Sequence, residues 1–202
     1  MLFRSEREAA LEYDLTKLIY TLDHPKKPVI GVITSLPMFG DEQQQPALKP
    51  WTITSAMQEF FEVRDLGASI DAVSPDIDVL LIVHPKDLKL KTRFAIDQYA
   101  LKGGKVLVFL DPLAESDRTP PAEGQAVLPD IDSELPQLLD KWGVEMLPEK
   151  IAGDINAAMH VQTRSQRGTR EVAYLPWLRL ARESFNPDDF ATSELSVIHM
   201  GT

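Results

Sequence analysis

Ile77-Asp-Val-Leu-Leu-Ile-Val-His-Pro85 and Gly103-Gly-Lys-Val-Leu-Val-Phe-Leu-Asp-Pro112 decide the fold of this chain. Each is a nearly continuous apolar run of strand length closed by a polar residue and a proline, and one helix-length segment separates them. Such runs belong to parallel strands buried on both faces, since a half-solvated strand would alternate apolar with polar residues. A strand-helix-strand unit is therefore expected. Its helix should cover the sheet with Phe94, Ala95, Tyr99 and Leu101, and Gly103 stands where a left-handed C-cap belongs.

Upstream, Pro28-Val-Ile-Gly-Val-Ile-Thr34 supplies a third apolar run and the first strand, whose exit begins at Ser35 and leads to a polar loop with Gln43 to Gln45. Lys49-Pro50-Trp51 opens a helix with Ile53, Met57, Phe60 and Phe61 at helical spacing, and the half-polar Glu62-Val-Arg-Asp-Leu66 suits a short edge strand. Four strands joined by right-handed crossovers predict a doubly wound, mostly parallel α/β sheet in the order 2-1-3-4. At the start of the chain, Ser5 and Glu8 form a capping box. Leu11, Leu15, Leu18, Ile19 and Leu22 follow as the stripe of an amphipathic helix ending before Pro25.

Downstream, the stretch after Asp111 turns acidic and proline-rich, which reads as a long exposed loop. Ser133 is then expected to cap a helix carrying Leu135, Leu138, Leu139 and Trp142, with Gly143 just past its end. Lys150 to Asp154, Ala158 to Gln162, Glu171 to Leu175 and Leu195 to Ile198 look like extra strands. The expected organisation is an N-terminal helix and linker over 1–27 and a single α/β domain over 28–202. That domain comprises a core at 28–112, an acidic Pro-rich loop at 113–132 and a C-terminal elaboration at 133–202.

The formal net charge of −10 argues against nucleic acid and anionic lipid, which need clustered Lys and Arg. With no cysteine there is no thiolate catalysis, disulfide or Cys-ligated zinc. No apolar run reaches the roughly 18 residues of a membrane span, and no signal-peptide core is visible. The chain is expected to be either cytoplasmic or a soluble part of a longer membrane-anchored protein.

Ser35, His84 and Asp111 all fall where strands should end, at the carboxyl edge where open α/β sheets bind ligands. They are the candidate ligand-binding residues, and a Ser-His-Asp hydrolase can be imagined from them. The Gly-x-Ser-x-Gly elbow is absent, and the favoured reading is that His84 and Asp111 cap loops while Pro85 and Pro112 stop strands. His24, His84, His160 and His199 lack zinc-ligand spacing, so no metal is expected. Gly103-Gly104-Lys105 precedes a strand rather than a helix and is not a phosphate loop. Arg164, Arg167 and Arg170 read as a solvated hairpin loop, or else as a docking point for an acidic partner. Trp51 and Trp177 read as core or domain-contact anchors.

Taken together, Lys49-Pro50-Trp51, Phe61 to Leu66, Asp78 to Pro85, Ala95-Ile-Asp-Gln-Tyr99, Gly103 to Pro112, Trp142-Gly-Val, Gly153-Asp154 and Tyr174-Leu-Pro-Trp177-Leu form a series. From about Pro28 onward it resembles the extracytoplasmic domain of the ABC-type transport auxiliary family that includes the gliding-motility component GldG. The resemblance implies a flavodoxin-like sheet of the class I glutamine-amidotransferase type, without the amidotransferase cysteine. It also implies a periplasmic position between transmembrane helices outside this sequence, with permease and ATPase subunits as partners. The expected function is that of a non-catalytic accessory domain without cofactor, acting by protein or ligand binding, with Trp51, Arg164 and Arg167 as partner contacts. A hydrolase or small-ligand receptor at the strand ends is the alternative.

Overall fold

The run after Pro28 becomes β1 (Val29–Thr34), the central strand of the first sheet, and it is buried along nearly its whole length. This is a computed structural model, and it describes residues 11–41, 43, 47–117, 131–147, 150–165 and 168–201. Two units follow along the chain, Met1–Phe109 and Leu110–Thr202.

In the first unit, β2 (Glu62–Asp65), β3 (Val79–Val83) and β4 (Lys105–Phe109) join β1 in a parallel sheet ordered β2-β1-β3-β4, the order expected from right-handed crossovers. Val32 lies between Asp65 and Leu81, and Leu81 lies beside Leu107, so the apolar centre of each inner strand is in register. Ile30, Val32 and Leu81 make a core cluster against which Phe39, Met57, Phe61 and Val63 pack.

Four details of this unit differ from expectation. First, β4 is not buried on both faces. Leu107 is 50% and Phe109 56% exposed, because β4 is the outer strand and only its alternate residues are covered. Second, α3 (Leu90–Leu101) is turned in phase: Thr92, Ala95 and Ile96 are buried, whereas Phe94 and Leu101 are 61% and 71% exposed. A buried hydroxyl at Thr92 is tolerated because it bonds the backbone of Ala68 and Ile70.

Third, in α2 (Thr52–Phe60) the buried position is Thr54 and not Ile53, since the Thr54 hydroxyl donates to the Met38 carbonyl at 2.8 Å. Fourth, α1 (Leu11–Asp23) stops before Pro25 as expected, yet Leu11, Leu15, Leu18, Ile19 and Leu22 are exposed. It meets α2 through the Lys17 to Glu59 ion pair and the edge contact of Tyr20 with Phe60. The Ser5–Glu8 capping box lies outside the described residues.

The end of α3 is a Schellman motif. Gly103, at φ +86°, donates to the Ala100 carbonyl and Gly104 donates to that of Tyr99, so two terminal carbonyls are satisfied. This is the C-cap expected of Gly103.

The second unit contains α4 (Pro136–Trp142) and an antiparallel sheet ordered β5-β6-β7, from β5 (Ala158–Ser165), β6 (Gly168–Ala181) and β7 (Val197–Gly201). Gly143 at φ +76° closes α4 as expected. Ser133 does not cap it: the N-cap is Leu135, while Ser133 is buried and bonds Asp111. Proline at the first position removes an N–H that would have needed a cap. Lys150 to Asp154 forms no strand, whereas the other three expected pieces fall wholly or partly within β5, β6 and β7. Arg164 and Arg170 lie in strands paired across the hairpin and not in its loop, and Arg167 lies outside the described residues. The acidic Pro-rich stretch is outside them over 118–130.

Candidate functional site

At the carboxyl ends of the first sheet, the structure brings Ser35 to the loop that follows β3. Ser35 Oγ accepts the Lys86 amide at 2.9 Å, tying the exits of β1 and β3 together. The loop itself is tightly set. His84 and Asp87 both adopt left-handed backbone, at φ 45° and 50°, a conformation that His and Asp tolerate better than most residues. His84 donates its amide to the Phe109 carbonyl and is only 2% exposed, and Pro85 beside it is also fully buried. A general base must be reached by its substrate, and this imidazole is enclosed by protein.

Asp111 belongs to the second unit. Its Oδ1 accepts the Leu113 amide at 2.8 Å in an Asx turn, and its own amide is held by Ser133 Oγ at 3.0 Å. These contacts are what the loop-capping reading of Asp111 describes. Among the described residues, no group of three or more His, Asp or Glu is arranged to hold a metal ion.

A groove of about 750 Å³ opens at the other end of the first sheet, where β3 and β4 begin. One wall comes from the segment between β2 and β3, including Asp71, Val73 and Pro75. The other comes from the last turns of α3 and the Gly103–Lys105 corner. Tyr99 is fixed at its floor. The ring lies against Gly104, where a Cβ would sit 2.4 Å from it, and the hydroxyl donates to the Ile77 carbonyl at 3.0 Å. Partial burial, with the Asp78 carboxylate nearby, raises the Tyr99 pKa. From the sequence, Tyr99 is expected only as a sheet-facing helix residue. Its spacing from Gly104, residue C3 before a C″ glycine, is the signal that the ring and the glycine would meet.

The second unit has a smaller cleft of about 200 Å³ lined by Asp111, Glu115, Ser116 and Trp177. Tyr174 Oη and Trp177 Nε1 both donate to the Glu115 carboxylate, at 2.9 and 3.2 Å. Their rings meet edge-on at 5.3 Å. Residues three apart in a regular strand point to opposite faces, so this meeting needs an irregularity. β6 supplies one: its pairing with β5 steps from Tyr174 directly to Leu178, leaving Leu175, Pro176 and Trp177 as a bulge.

Of the expected contact residues, Trp51 is half-buried at the start of α2 with its amide on the Met38 carbonyl, and Arg164 is exposed on β5. No helix among the described residues is long and apolar enough to cross a membrane. A family model described as ABC-type uncharacterized transport system matches residues 27–202. No curated protein and no solved structure matches the chain.

Proposed function

Because the chain belongs to the family of ABC-type uncharacterized transport systems, we propose that it is a non-catalytic, extracytoplasmic accessory domain of such a transporter, of the gliding-motility auxiliary kind, and that it acts by binding. The observation that carries this reading is the extent of the family match, residues 27–202, which takes in the sheets of both units. The β2-β1-β3-β4 order supports kinship of the first sheet with flavodoxin-like, class I glutamine-amidotransferase-like folds.

The hydroxyl and carboxylate a hydrolase would have drawn on hold backbone instead: Ser35 the Lys86 amide, and Asp111 the Leu113 amide. His84 is enclosed. Such groups stiffen loops, which suits a rigid binding surface better than a nucleophile and base. Trp51 and Arg164 are the positions assigned to partner contact, the first aromatic and half-buried, the second an exposed cation on a strand.

The test is mild detergent extraction of the full-length protein from its native membrane, followed by affinity capture and mass spectrometry. Recovery with a permease and an ATPase in constant proportion is the expected result. Recovery of the protein alone would overturn the accessory-subunit reading. Protease accessibility from the outer face of the cytoplasmic membrane checks the compartment.

A further inference from the structure

The groove at the amino ends of β3 and β4 combines an apolar floor with charged residues in its lining. Its volume of about 750 Å³ lies within the roughly 300 to 1,000 Å³ typical of small-molecule sites. Its floor is apolar and stiff. Ile77 and Ala95 are buried there, and the Tyr99 ring is held between Gly104 and its hydrogen bond to Ile77. Phe94 presents an exposed aromatic surface on the α3 wall.

The charges of the groove are unequal in availability. Both acids that line it are already engaged: Asp71 pairs with Lys91 at 2.7 Å, and Asp78 Oδ2 accepts the Val29 amide at 2.8 Å. Lys102 and Lys105, which line the opposite side, have no carboxylate at ion-pair distance among the described residues. The helix terminus beside them does not cancel this cationic character, because the carbonyls of Tyr99 and Ala100 are taken by Gly104 and Gly103. In a chain of net charge −10, two lysines with no ion-pair partner among the described residues stand together beside an apolar floor.

We propose that this groove binds a small amphiphilic organic anion, a carboxylate carried on an apolar body, with the anion at Lys102 and Lys105 and the body against Phe94 and Tyr99. The proposal rests on reading the domain as a binding module. It gives that module a ligand class, at the end of the sheet opposite to Ser35 and His84.

The test uses the 202-residue chain labelled with nitrogen-15 and titrated with 4-phenylbutyrate, then with its neutral amide. Saturable amide shifts confined to Gly103, Gly104, Lys105 and the Asp71–Ile77 segment are expected, with the amide weaker by about tenfold or more, as for loss of a charge-assisted contact. K102E/K105E should weaken the carboxylate to a similar degree with unchanged thermal midpoint, both side chains being exposed. F94S should weaken acid and amide alike. No saturable binding, equal binding of acid and amide, or binding untouched by K102E/K105E overturns the proposal. A response to an acidic extended peptide but not to phenylbutyrate overturns it in favour of a protein-contact face. Membrane capture of permease and ATPase is independent of this titration, so failure of one leaves the other standing.

Discussion

Tyr99 closes directly over Gly104: a Cβ added at that glycine would lie 2.4 to 2.6 Å from three atoms of the ring. The ring cannot simply swing clear, since its hydroxyl is bonded to the Ile77 carbonyl. G104A should therefore destabilise the first unit by about 1 to 3 kcal/mol, the usual cost of overpacking. Urea unfolding of G104A, Y99A and the double variant checks this. The two changes should be strongly non-additive, with most of the G104A penalty vanishing once the ring is gone. Strict additivity would mean that the two residues do not meet.

The carboxyl of Asp76 is held well below the ordinary range, to about 2, by the Ser74 hydroxyl first and by Arg64 next. Arg64 Nη1 reaches Asp76 Oδ2 at 2.5 Å and its Nε reaches Glu62 Oε1 at 2.7 Å, so one guanidinium links β2 to the segment before β3. A depressed folded-state pKa stabilises fully above the unfolded pKa, near 4, and the contribution is lost as pH falls from there toward 2. A carbon-13 NMR titration should place the Asp76 midpoint near 2. S74A should raise it more than R64A does, because the hydroxyl is the larger cause. A wild-type midpoint near 4 would contradict the geometry.

Tyr174 donates to the Glu115 carboxylate, and this hydrogen bond, ahead of desolvation, raises the phenol pKa. The sign is opposite to that of Asp76. The raised folded-state value contributes stability that is complete below the ordinary tyrosine pKa, near 10, and lost as pH rises through the folded value. E115Q should bring the phenolate absorbance of Tyr174 to lower pH, with Tyr99 as the unchanged control. Trp177 fluorescence should change in parallel, since its indole N–H shares the same carboxylate. An unmoved Tyr174 titration would show that the pair does not form in solution.

The order of the first sheet and both glycine caps were legible in the sequence because each rests on a local rule. Continuous apolar runs such as Val79 to Val83 specify buried strands, crossover handedness leaves few orders to choose from, and φ near +80° is a glycine conformation wherever it occurs. Helix phase was less legible. Thr54 and Thr92 replaced Ile53 and Phe94 at buried positions because each hydroxyl found a carbonyl outside its own helix, a pairing that hydropathy cannot register.

By itself, the sequence determined the parallel strand core, the glycine caps of two helices, the lack of cysteine chemistry and a resemblance to the ABC-type transport auxiliary family that the family match bears out. Tertiary structure alone decided which polar groups are occupied and which remain available. Ser35 and Asp111 hold backbone amides, His84 is enclosed, and Lys102 and Lys105 flank an open groove. The reason is physical. A residue's partners come from segments tens of positions away, as Tyr99 finds Ile77 and Tyr174 finds Glu115, and burial and charge pairing follow from those meetings rather than from residue type.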